Sequence, residues 1–326
     1  MSVKIKVTLP SIDKKPSTGK GFFFHRLSEQ LIKHGVDVFS DSKAKVDVAL
    51  HNARVRKNNA KYNIVRIDGV YHNTAQDYKK LNKNVFSGFH TLPDAVIYQS
   101  NFSKSIADHY LGEFNGPITV ISNGADPNFY LESIPSESLY EHTFITISRW
   151  RPHKRLKDII ESFLIADLSN SVLYVAGDIN DSGLTPKEKK KYHREHSVKF
   201  LGKLDQGTLA RYLISADVFI HLCWFDNCPN GVVEAICAGL PVITNNVGGT
   251  QEIVLKSGGY VVAIDKPYNL KPCDLYNPPA IDRVEIARYI IEASRYKSLK
   301  IDSSHVDIKN IAIKYKEFFE KIMESK

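Results

Sequence analysis
The densest chemistry in the sequence lies in Trp224-Phe225-Asp226-Asn227-Cys228-Pro229-Asn230-Gly231-Val232-Val233-Glu234. An apolar, β-branched run ends just before it, and a helical pattern follows, with Gly239 at its stop and Pro241 before the next strand. Asp226 therefore closes a strand and Glu234 sits one turn into a helix. Eight residues apart with a turn between them, the two carboxylates can converge on one polyol ligand. The amides of Asn230, Gly231 and Val232 would meet an anion carried by the same ligand. A bland reading also exists, in which Asp226 caps backbone amides and Glu234 answers the helix N-terminus.

A second group, Arg149-Trp150-Arg151-Pro152-His153-Lys154-Arg155, also follows a strand and opens a helix. Four cations at the positive end of a helix dipole repel it unless an anion lies among them. Third comes the loop from Pro10 to Gly21, where Gly19 and Gly21 would let amides approach an anion. It lacks the Gly-Lys-Ser/Thr ending of a P-loop and is not a complete dinucleotide fingerprint. Fourth, the strand Ile64-Val65-Arg66-Ile67 is followed by Asp68, Gly69 and, four residues after Asp68, His72. His193 and His196 have a spacing that could serve a metal, but no further ligand group is near in sequence, so a surface helix is expected there.

These groups need elements to position them, and the periodicity supplies an alternation of short strands and amphipathic helices. Strands are expected at 3–9, 46–50, 64–67, 95–99 and 118–121, with helices at 22–34, 74–85 and 103–111. Turn-forming residues fill roughly 123–141, where we place a boundary. The alternation restarts with strands at 143–148, 172–176, 198–201, 218–222, 242–244 and 260–262. Helices at 156–168, 207–214, 232–238 and 250–255 separate most of them, and helical segments follow at 283–296 and 306–326. Such alternation means parallel strands with crossover helices, so ligands belong beyond the carboxyl ends of the strands. The expected division is 1–130, 142–305, and a bridging helix at 306–326 that returns to the N-terminal domain. That last segment carries Val306, Ile308, Ile311, Ile313, Tyr315, Phe318, Phe319 and Ile322, too many apolar positions for a narrow stripe.

At 326 residues the chain is long enough for two cores. With 43% hydrophobic and 25% charged residues it is an ordinary globular composition, which excludes disordered and coiled-coil classes. The 44 Lys and Arg against 36 Asp and Glu leave +8, which favours anionic partners. Charge alone would also allow nucleic acid, but aromatic-basic interleaving and recognised modules are missing, so none is expected. Four irregularly spaced cysteines suit a reducing compartment. The N-terminal residues alternate like a strand instead of forming a leader's apolar run, and no apolar stretch reaches the ~20 residues of a membrane span. A cytoplasmic protein with no integral membrane segment is expected.

The stretch from Asp226 to Ile243 resembles the signature of glycosyltransferase family 4, Glu-x7-Glu followed by Ala-x-Ala-x-Gly-x-Pro-Val-Ile. Ile147-Ser148-Arg149 with Lys154 resembles the family's diphosphate clamp, and residues 120–126 resemble its interdomain turn. Residues 246–254 resemble its Val-Gly-Gly-x-x-Glu-Ile-Val segment. The likeness covers the second domain in order and is loose over the first, where Ser100-Asn101-Phe102-Ser103-Lys104 and the glycine loop carry it. It implies an α/β fold of GT-B type: two Rossmann-like domains facing across a cleft, the C-terminal helix packing back on the N-terminal one.

The resemblance further implies that Arg149 and Lys154 hold the diphosphate of a nucleotide sugar and that Glu234 contacts its ribose. Asp226 would meet donor-sugar hydroxyls, with amides at Asn230, Gly231 and Val232 completing the site and Gly202 to Leu204 beside the base. Asp226 departs from the family's Glu and shortens its reach by about one C–C bond, ~1.5 Å. The family often has a catalytic His after a strand of the first domain; here Asp68 takes that position, with His72 as the alternative. The implied activity is a retaining, metal-independent transfer of a hexose or deoxyhexose from a UDP- or GDP-linked donor to a hydroxyl of a glycan acceptor, with no cofactor. No Asp-x-Asp occurs to hold a metal. The alternatives are a catalytically silent nucleotide-sugar-binding protein or an epimerase of the same fold.

Overall fold
The computed structural model describes residues 4–10, 12, 19–135, 139–263, 266, 268–295 and 300–325. The chain divides into two compact units, 1–126 with 306–326, and 127–305. Most of the loop from Pro10 to Gly21 lies outside the described residues.

The first unit runs β1 (Lys6–Thr8), α1 (Gly19–Lys33), β2 (Asp37–Phe39), β3 (Lys45–Asn52), β4 (Asn59–Ile67), α2 (Tyr78–Val85), β5 (Ala95–Tyr98), α3 (Asn101–Leu111) and β6 (Ile118–Val120). Its sheet has the order β2-β1-β3-β4-β5-β6, with every pairing parallel. Strand β2 escaped the sequence reading, because three residues give periodicity nothing to act on. Helix α1 starts three residues before the expected position 22, so both glycines fall in its first turn. Helix α2 starts later than position 74, where Asp77 accepts from the Lys80 amide and caps it.

The second unit contains α4 (Pro127–Leu131), β7 (His142–Ile147), α5 (Leu156–Ala166), β8 (Ser171–Ala176), α6 (Pro186–Tyr192), β9 (Val198–Gly202), α7 (Gln206–Ser215), β10 (Val218–His221), α8 (Asn230–Cys237), β11 (Val242–Asn245), α9 (Thr250–Ser257), β12 (Tyr260–Val262) and α10 (Arg283–Arg295). A one-turn 3₁₀ segment, Pro152–Lys154, precedes α5. The sheet, again parallel throughout, has the order β12-β11-β10-β7-β8-β9. The chain moves outward from β7 in one direction, then returns to lay β10 on its other side. That reversal opens a crevice between the carboxyl ends of β7 and β10, where parallel sheets bind ligands.

The chain then returns to the first unit as α11 (Ile308–Glu324). Ile308, Ile311, Tyr315, Phe319 and Ile322 are buried in one cluster with Phe23, Phe24, Leu27 and Leu31 of α1. The expected surplus of apolar positions is thus spent on the α1 face and the sheet beneath it. A parallel bridge between Ala125 and Asp307 ties the return segment down, with the Ile308 amide donating to the Ala125 carbonyl at 2.9 Å. Gly124 leaves no room for a side chain there, since a Cβ would lie 2.9 Å from the Ile308 Cα.

Candidate active site
Two loops meet at the β7/β10 crevice. The first runs from Ser148 to Arg155 and the second from Leu222 to Asn230, tied by the Trp224 amide donating to the His153 carbonyl at 2.8 Å. Lys154 and Asp226, 72 residues apart in sequence, pair across this junction with Nζ 2.5 Å from Oδ2. Burial alone would drive the proton off Lys154. The Asp226 carboxylate, and after it the Cys223 sulfur, outweigh that and hold the ammonium above its ordinary value. For Asp226 burial pushes the carboxyl upward, and the Lys154 charge more than reverses it.

The chain geometry around Asp226 is over-determined. Phe225, just before it, adopts a left-handed φ of 73°, a conformation that costs a non-glycine residue about 1–3 kcal/mol. Its carbonyl accepts from the Cys223 thiol at 3.1 Å, and its ring packs on Tyr268 and Trp224 with centroids 4.2 and 4.6 Å away. From behind, Gly248 and Gly249 close the loop: the Gly249 amide donates to the Asp226 carbonyl at 2.7 Å, and a Cβ on Gly248 would come within 2.7 Å of that oxygen. The glycines of the 246–254 segment are therefore what lets this loop close on itself.

Helix α8 begins beside the pair. Its N-cap, Pro229, makes no side-chain cap hydrogen bond, and the positive end of the dipole begins at half-buried Asn230 and Gly231. A Cβ on Gly231 would lie 3.0 Å from Ile147, which shows how closely the helix N-terminus approaches the carboxyl end of β7. Val232 contributes backbone alone, since its side chain is buried, and its amide donates to the Pro229 carbonyl at 3.1 Å. Glu234 is buried in the second turn of α8.

Arg149 is exposed and makes no hydrogen bond or ion pair among the described residues, which leaves it available to an external anion. The expected crowd of four cations is not what the structure holds. Arg155, at φ 54°, turns into the protein and donates to the Pro279 carbonyl at 3.3 Å, while Lys154 faces Asp226. Gly202 ends β9 at φ 66° with open space around it, and its carbonyl accepts from the Gly177 amide at 2.6 Å. Leu204 is half-buried two residues on.

His221, Cys223 and Asp226 place ligand-type atoms within 4.8 Å of one another. The cation among them is the Lys154 ammonium, bonded to Asp226 and to the Cys223 sulfur. Burial pushes the Cys223 thiol up to about 12 and His221 down to about 3. His193 and His196, also considered for metal, follow α6 in an exposed turn instead of lying on a helix.

In the first unit, Asp68 and His72 do not share an environment. Oδ1 of Asp68 accepts from the Arg66 guanidinium and from the Gln99 amide. His72 is buried, with Nδ1 3.3 Å from the Val70 carbonyl oxygen and its ring 6.2 Å from that of Tyr110, and burial lowers its pKa. Gly19 is exposed and Gly21 buried in the first turn of α1, which follows β1 at the reversal of the first sheet.

Sequence reasoning missed Arg66. It is 1% exposed, lies 4.5 Å over the Phe23 ring, and donates to Asp68, to Asn123 and, at 3.1 Å, to the Tyr315 hydroxyl on α11. A cation inside the apolar run Ile64-Val65-Arg66-Ile67 was the available signal, because a buried charge needs partners.

Residues 134–271 match the family model described as glycosyl transferases group 1. Two parallel α/β sheets of this build are those of the GT-B fold, and the match to the family model falls within the second unit. N-acetyl-alpha-D-glucosaminyl L-malate synthase of Bacillus anthracis is 28% identical over 155 residues, which is 45% of this chain and 40% of that protein. The chain spans less than half the length of the curated relatives it matches. Among solved structures, sucrose-phosphate synthase from Thermosynechococcus elongatus superposes with a TM-score of 0.69 at 14% identity, covering 99% of this chain and 100% of that one. Anabaena HepE in complex with UDP-glucose gives 0.60 at 14% identity, over 97% and 100%. At such identity these likenesses speak for the fold. Among the described residues no helix is long and apolar enough to cross a membrane.

Proposed function
We propose that the protein transfers a hexose or deoxyhexose from a nucleotide diphosphate sugar to a hydroxyl of a glycan acceptor, with retention at the anomeric carbon and without a metal. The observation that carries this reading is the Lys154–Asp226 pair beside the N-terminus of α8, with exposed Arg149 at the same sheet reversal. Arg149, Lys154 and the helix dipole supply positive potential to the diphosphate as the glycosidic bond breaks, the task a metal performs in other folds. Asp226 accepts from donor-sugar hydroxyls, and Glu234 serves the ribose. The acceptor oxygen bonds the anomeric carbon on the face the diphosphate leaves, and its proton passes to a diphosphate oxygen. Asp68 is assigned to the acceptor and transferred sugar, with His72 as the alternative, and Gly19 and Gly21 lend amides at the α1 N-terminus. Gly202 and Leu204 flank the base.

A neighbour of the same fold solved with UDP-glucose favours a nucleotide-sugar donor. Four free cysteines agree with a cytoplasmic setting. The test is a thermal-shift panel of UDP-, GDP- and other nucleotide sugars, followed by release of nucleotide diphosphate from the best stabiliser. Release that is abolished in Arg149→Ala and unaffected by chelator supports the proposal. Stabilisation by a donor with no release, with or without added saccharides, would instead establish a silent binding protein.

A further inference from the structure
Away from the crevice, a cavity of about 760 Å³ opens at the β9 edge of the second sheet. None of Arg149, Lys154, Asp226 or Glu234 lines it. Its walls are aromatic. Tyr174 from β8 and Tyr212 from α7 meet with ring centroids 5.1 Å apart at 67°, and His193 and Phe200 form a second pair at 4.4 Å. Tyr140 joins the first pair: burial, and then the nearness of Tyr212 and Tyr140, raise the Tyr174 phenol above its ordinary value. The hydroxyls of Tyr174 and Tyr212 make no hydrogen bond to other described residues, so both are left for whatever enters.

This lining has a chemical meaning. Rings inclined at 67° and 43° leave no parallel slot for a planar base, but they offer apolar faces to the C–H surface of a sugar. Phenol groups donate and accept at once, as sugar hydroxyls do. The volume falls within the ~300–1,000 Å³ range of small-ligand sites. The rim is basic: Arg194 and exposed Lys199 line the cavity against one acid, Glu195. Helix α6, with Lys189, Lys190 and Lys191 in its last turn, ends immediately before His193.

We propose that this cavity is a second saccharide site, separate from the donor site, which takes a short anionic oligosaccharide of the uronic acid type. Sugar rings lie against Tyr174 and Tyr212, and carboxylates face Arg194 and Lys199. The proposal stands on the cavity alone and does not require the transfer reaction, so it survives or falls independently of it.

The probe is trigalacturonic acid, titrated calorimetrically into the protein, with neutral maltotriose and triglutamate as controls. Binding of trigalacturonic acid at one site per chain is expected. It should weaken about tenfold in Tyr212→Ala and in Lys199→Glu, the loss of roughly one good contact in each case. Tyr174→Phe keeps the ring and the fold and should weaken binding less than Tyr212→Ala does. Arg149→Ala, which disables the donor clamp, should leave the affinity unchanged. The inference is overturned if the wild-type protein fails to bind, if maltotriose or triglutamate binds equally well, or if Tyr212→Ala and Lys199→Glu, with unaltered melting, bind as the wild type does.

Discussion
Lys154 Nζ lies 2.5 Å from Asp226 Oδ2, with the two side chains only 17% and 18% exposed, so each charge compensates the other in a place water barely reaches. Removing one partner leaves the other buried and unpaired, which costs about 3–5 kcal/mol, whereas removing both is far milder. Urea unfolding of Lys154→Met and Asp226→Asn should each show a clear loss, and Lys154→Met combined with Asp226→Leu should regain most of it. Donor turnover should collapse in all three. Recovery of turnover alongside stability in the double variant would mean the pair is structural only.

The same cluster sets the acid limb of stability. Burial, and then the Lys154 charge, carry His221 from 6.5 down to about 3, so between those values the unfolded chain binds a proton that the folded one refuses. Stability should therefore decline as pH falls through that window, by up to about 1.4 kcal/mol per pH unit. Asp226 acts lower still: its folded pKa is depressed below 3.8, so its contribution is present above that value and lost as pH drops through the folded one. Lys154 is raised above 10.5, and its share is complete below 10.5 and lost only at higher pH. His221→Gln should reduce the slope of the limb between 6.5 and about 3, leaving the contributions of His51 and His72, depressed by burial, and below 4.5 that of Glu188, held low chiefly by Lys157. Urea midpoints measured against pH decide this, and an unchanged limb refutes it.

Arg66 joins β4, the 123 turn and α11 through one guanidinium. Tyr315→Phe removes a single hydrogen bond and should cost about 0.5–1.5 kcal/mol. Arg66→Met strands several acceptors at once and should cost several times more by urea unfolding. If Asp68 acts at the acceptor, Tyr315→Phe should leave kcat nearly intact, while Asp68→Asn should lower kcat and also cost stability by leaving the buried Arg66 charge short of its carboxylate.

Gly177 has φ 105°, and a Cβ there would fall 1.9 Å from the Ser148 carbonyl oxygen, the residue before Arg149. Gly177→Ala must push the clamp loop aside as well as bear a backbone cost of about 1–3 kcal/mol. The expected result is weakened nucleotide diphosphate binding together with a lowered melting temperature. Binding retained at wild-type strength would show that the loop can move without losing its function.

The second unit was legible because its motif residues follow one another at fixed spacing after strands, and a parallel sheet turns that order into a crevice. The pairing of Lys154 with Asp226 was not legible. Sequence placed both at the site, but the left-handed turn at Phe225 that aims Asp226 at the ammonium has no glycine or asparagine to announce it. Likewise the four cations before α5 looked equivalent in sequence, and only packing sends Arg155 inward and leaves Arg149 out. In the first unit, Asp68 and His72 stood as alternatives because spacing cannot reveal that one is bonded to Arg66 and Gln99 while the other is buried near Tyr110.

Helix α11 belongs to the core that α1 begins, although the whole of residues 127–305 is made between them. On a ribosome the order of completion is therefore inverted, since domains close as units and the earlier half lacks a wall until the later half has been translated. The continuous unit can fold while the interrupted one waits with Phe23, Leu27 and Leu31 uncovered, a natural client for chaperones. A stop placed directly before Val306 would leave residues 127–305 complete and ruin the unit that was translated first.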